Sequence, residues 1–184
     1  MTWITAAAIG ALVLAAVSTF GDFVWATWIP QHRAVFGLTH GTLLFLVVGL
    51  YLGLVARRPA YGAIAGTLIG FIAAASFYLL APMTGVWIMF AVWIGAWELL
   101  TVLQVRLQSM PTTLNALLVR GGIASLACGA AFYAVSGIWF PFNPVGWDYL
   151  WHFSAWTIAY LPGFAALFVA NMPRPISPSQ RRHP

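Results

Sequence analysis

AVFGLTHGTLLFLVVGLYLGLVARRPAYGAIAGTLIGFIAAASFYLL, residues 34–80, decides the fold. Two apolar runs, each close to the roughly 20 residues that cross a bilayer core, flank the turn Ala56-Arg57-Arg58-Pro59. Lipid offers no hydrogen bonds, so a run of this kind must satisfy its backbone internally, as a helix or in a closed barrel. The runs are continuous and rich in Gly, Ala and Leu, without the inward–outward alternation of a barrel strand. Each therefore reads as a spanning helix. Gly37, Gly41, Gly49 and Gly53 in the first, and Gly62, Gly66, Gly70 and Ala74 in the second, fall on a four-residue repeat. That repeat puts the small residues on one face of each helix and predicts that the two backbones approach closely.

The rest of the chain repeats this composition. Of 184 residues, 62% are hydrophobic and only 6% charged, and the mean hydropathy is +0.90. A soluble domain of this size needs a polar coat that these residues cannot supply. The expected fold is an all-α integral membrane protein, a six-transmembrane-helix bundle over residues 1–170 with a disordered cytoplasmic tail at 171–184. The expected helices cover about 4–28, 34–55, 60–80, 86–105, 111–140 and 148–170. Pro111 is expected in the first turn of the fifth helix, and Pro162 with Gly163 should kink the sixth.

The net charge of +5 comes entirely from arginine, since lysine is absent. That excludes lysine Schiff-base chemistry. Arg57, Arg58, Arg106, Arg120, Arg174, Arg181 and Arg182 all fall on one side of a six-span layout, and only Arg33 on the other. The positive-inside rule then makes both termini cytoplasmic, in a multi-pass protein of the cell inner membrane. Scattered at helix ends, these arginines suit the lipid bilayer as partner rather than nucleic acid. Cys128 is the single cysteine, so no intramolecular disulfide or cysteine metal cluster is available.

Polar chemistry concentrates between Gly21 and Gly41, which faces outward in this layout. Asp22, His40 and His152 should reach similar depth on three helices near the outer boundary. Two imidazoles and a carboxylate can hold a metal ion, with Asp148 orienting the His152 ring from four residues away. A haem held by His40 and His152 is a variant of the same expectation. His32 and Arg33, in the turn itself, could meet an anionic group at the mouth of such a pocket. Glu98 and Arg120 are expected to form an intramembrane ion pair between the fourth and fifth helices. Trp93, Trp97 and Trp156 map deeper and could wall a hydrophobic pocket beneath the cluster.

No phosphate loop, nucleophile elbow or histidine-rich hydroxylase pattern occurs. The expected function is binding of a metal, cofactor or small amphipathic ligand at an outward-facing Asp/His/His pocket. Acid–base chemistry on a lipid or isoprenoid is one alternative. A role as accessory subunit of a larger membrane complex, or as a homo-oligomer, is another.

Overall fold

The computed structural model describes residues 2–28, 33–85, 87–109, 111–139 and 144–169, except the side chains of Trp25, Trp28, Arg33 and residues 132–139. Six helices account for nearly all of them: α1 (Trp3–Trp28), α2 (Arg33–Val55), α3 (Pro59–Thr84), α4 (Ile88–Gln108), α5 (Leu114–Trp139) and α6 (Asp148–Val169). All six are long and apolar enough to cross a membrane. Consecutive helices are antiparallel neighbours, and α6 closes the ring against α1. The expected tail at 171–184 lies outside the described residues.

Helix ends depart from expectation at two of the turns. Helix α3 continues past residue 80, through Pro82 to Thr84. The proline removes the donor that Tyr78 carbonyl would have used, but its fixed φ is helical and the last turn survives. Gly85 N–H then reaches Ala81 carbonyl at 2.8 Å and Thr84 hydroxyl reaches Leu80 carbonyl at 2.9 Å. Pro111 lies outside α5 rather than in its first turn. Thr113 starts that helix, its hydroxyl accepting from Ala116 N–H at 3.3 Å, as a threonine N-cap does. Helix α6 runs unbroken through Pro162.

Between α2 and α3 the chain reverses in a Schellman motif. Arg58 N–H bonds Gly53 carbonyl at 2.7 Å, Arg57 N–H bonds Leu54 carbonyl at 3.1 Å, and Arg57 holds a left-handed φ of 59°. A side chain is strained there, so Arg57→Gly should raise the thermal midpoint in detergent, by up to about 1 kcal/mol of stability. A lowered midpoint would mean that the arginine side chain outweighs its backbone strain.

The α2 and α3 glycines meet as their spacing predicts. A Cβ added at Gly49 would strike Gly62 carbonyl, and one at Gly66 would strike Phe45 carbonyl. Large side chains fill the half of the bundle nearest the N-terminus of α1, here called proximal. Trp97, Leu100, Phe164, Leu167 and Phe168 are buried there with Leu52 and Tyr160. In a bilayer, where lipid is as apolar as these side chains, close packing rather than water exclusion would hold them together. The distal half, toward the ends of α1, α3 and α5, is built differently and contains the site.

Candidate functional site

The seam between α1 and α6 carries a polar ladder. Ala7, Ala11, Ala15 and Ser18 are buried along one face of α1, which lets α6 lie close. Ser18 and Tyr160 hydroxyls pair at 2.9 Å. One turn further along α1, and two turns back on α6, Asp22 Oδ2 accepts from His152 Nδ1 and from Trp156 Nε1, each at 2.8 Å. The four-residue steps Ser18–Asp22 and His152–Trp156–Tyr160 put each series on one helix face, so the rungs follow from helical geometry. An indole N–H can only donate, and with Oδ2 as a carboxylate acceptor His152 carries its proton on Nδ1. The side chain of His152 is 6% exposed and that of Asp22 29%. Asp22 therefore joins a buried pair to an open space.

That space is a cavity of about 450 Å³ in the distal half, bounded by α1, α2, α3 and α4. Gly37, Gly41, Gly70, Ala73 and Ala74 line it along α2 and α3, where the three glycines let the two helices approach closely. Phe45, Ala96 and Trp93 line it on the proximal side, and Phe36, Phe77 and Met89 complete most of its apolar wall. Trp93 is fixed by its Nε1 donating to Ser125 carbonyl at 3.1 Å. Three side chains bring polar chemistry to the lining: Asp22, His40 and Tyr78. The His40 ring stacks on Phe36, centroids 5.5 Å apart and planes 5° off parallel, and lies so close to Gly21 that a Cβ there would overlap it. Tyr78 hydroxyl lies in the same way against Gly37.

Asp22, His40 and His152 thus gather at one end of the bundle, but not around one point. Asp22 holds His152, while His40 faces the cavity that His152 does not line. Among the described residues no group of three His, Cys, Asp or Glu side chains is arranged to hold a metal ion. Haem ligation by two histidines would need both rings to face one space, which these do not. The Asp148 carboxylate accepts from Val145 N–H at 3.0 Å and closes the turn that enters α6. His32 lies outside the described residues, and so does the side chain of Arg33 at the start of α2.

Glu98 and Arg120 are not joined by an ion pair. Among the described residues only Asp22 and His152 approach within 4.0 Å as such a pair. Glu98 lies against Gly121 of α5, and Glu98 Oε2 and Arg120 Nη1 are buried without a hydrogen-bond partner. The glycine at 121 admits the carboxylate, but Arg120, one residue earlier, points about 100° around the helix. The three tryptophans separate in role. Trp93 lines the cavity, Trp97 is buried against Phe164 and Gly163, and Trp156 holds Asp22.

Sequence reasoning missed Trp156 as a partner of Asp22 and Tyr78 as a cavity group. The spacing of His152, Trp156 and Tyr160 signalled the first, since residues four apart share a face. Nothing local marked Tyr78, whose position depends on how α3 pairs with α2. Compared with known protein families, with curated proteins and with solved structures, the chain matches none.

Proposed function

We propose that this is a multi-pass protein of the cell membrane, both termini cytoplasmic, that binds a small amphipathic molecule in the distal cavity. The observation that carries this reading is the 450 Å³ space itself, apolar over most of its wall with Asp22, His40 and Tyr78 at its polar positions. Ligand sites are usually spaces of this size, apolar with a few polar groups that fix orientation. Arg57, Arg58 and Arg106 are exposed at the proximal end, so the positive-inside rule turns the cavity toward the outer face.

The test is organic extraction of the detergent-purified protein with mass spectrometry of what co-purifies, beside Ala74→Trp. That substitution projects an indole into the cavity from a small position on α3. A stoichiometric amphipath from the native protein, absent from a folded Ala74→Trp variant, is the expected result. Equal extracts from both would end the reading.

Acid–base chemistry on the bound molecule is a second reading, favoured by a histidine that faces the cavity beside a carboxylate. His40→Gln separates the two. A binding protein should retain its ligand with altered affinity, whereas an enzyme should retain it and accumulate it unconverted.

A further inference from the structure

A second space lies on the other side of His40. It is a groove of about 400 Å³ between α1 and α2. It shares Gly21, Phe36 and His40 with the distal cavity, itself open to the surface, so one imidazole, its stacked phenyl ring and a glycine lie between the two. The outer walls of the groove are Phe20, Val35 and Leu43, exposed by 62%, 68% and 51%. All three belong to stretches apolar enough to span a membrane, where the medium outside is hydrocarbon. On α1 the groove runs from Val17 to Val24, about 10 Å along the helix, so it suits an extended chain rather than a compact group.

We propose that this groove holds the hydrocarbon chain of a long-chain alcohol or amine whose head lies beside Asp22 in the distal cavity, and that the molecule enters sideways from the bilayer. The proposal rests on the reading of the cavity as a ligand site and names the ligand class. The chain assignment follows from continuity: the groove adjoins the cavity at the residues that carry its polar chemistry. The head assignment follows from the lining. Asp22 Oδ2 takes both hydrogen bonds from α6, and among the described residues Oδ1 receives none. A head with an O–H or N–H can donate to it. Among the described residues no arginine or lysine lines either space, so there a carboxylate or phosphate head would meet Asp22 without a permanent counter-charge.

The experiment uses the full chain in liposomes and two photoactivatable probes, hexadecanol and palmitic acid, each with a mid-chain diazirine. Labelled peptides are mapped by mass spectrometry in the native protein and in Leu43→Trp and Thr39→Trp, which fill the groove from its outer wall. The expected result is labelling of α1 and α2 groove residues by the alcohol, weaker labelling by the acid, and loss of the groove label in both folded variants. Alcohol label confined to α3 and α4 and unchanged by the tryptophans would overturn the groove and leave the distal cavity standing. Label in neither space would overturn both. Equal labelling by acid and alcohol would overturn the head assignment.

Discussion

Asp22→Ala is expected to lower the unfolding free energy by about 3 kcal/mol, because it strips the acceptor from two donors at once. His152 Nδ1 and Trp156 Nε1 both end on Asp22 Oδ2, and the His152 ring is buried in the seam, where water does not readily replace the lost acceptor. Removing one partner of a buried pair costs more than the pair contributes, since the other partner stays desolvated. His152→Ala should therefore cost less: it removes one donor and leaves the Trp156 bond in place. Asp22→Asn should fall between native and alanine, because the amide oxygen still accepts while the charge is gone. Thermal unfolding in one detergent measures the series. Ser154→Ala is the reference, since that hydroxyl bonds only the Leu150 carbonyl of its own helix. If Asp22→Ala shifts the midpoint no more than the reference does, the ladder does not hold α1 to α6.

The ladder also explains how far the site could be read from residues alone. Depth was legible: helix length and the position of the turns fix how far Asp22, His40 and His152 lie from a boundary. Facing was legible on single helices, where steps of four, four, three and four residues put Ala7, Ala11, Ala15, Ser18 and Asp22 on one side. What was not legible is rotation between helices. Whether His40 or Trp156 turns toward Asp22 depends on the packing of α1 against two neighbours, and composition does not encode that angle. The Glu98–Arg120 pair failed for the same reason. Both residues are at suitable depth, but opposite charges at equal depth pair only if their faces meet, and Gly121 rather than Arg120 faces Glu98. Asp148, four residues before His152, stands at a helix start, where its carboxylate accepts from the Val145 N–H, a role that spacing from His152 does not signal.

The glycine repeat of α2 and α3 was the most legible feature, and it supports the second large effect. Gly66→Ala is expected to destabilise by about 1–3 kcal/mol although alanine is the better helix former. The added methyl would fall on Phe45 carbonyl and on the backbone of Gly49, and neither is the movable end of a side chain. The helices must part, and every contact along the seam loosens together. Gly95→Ala is the decisive comparison. Gly95 is exposed on α4, a Cβ there meets nothing within 4 Å, and the substitution should stabilise by about 0.5–1 kcal/mol. Opposite signs from the same chemical change would separate helix propensity from helix–helix approach. Equal small gains at both positions would mean that α2 and α3 are not in backbone contact. The consequence reaches the site, because α2 carries His40 and α3 carries Tyr78 and Ala74 into one cavity. If the cavity is the ligand site proposed above, a Gly66→Ala protein that still folds should bind more weakly there, although residue 66 does not line the cavity.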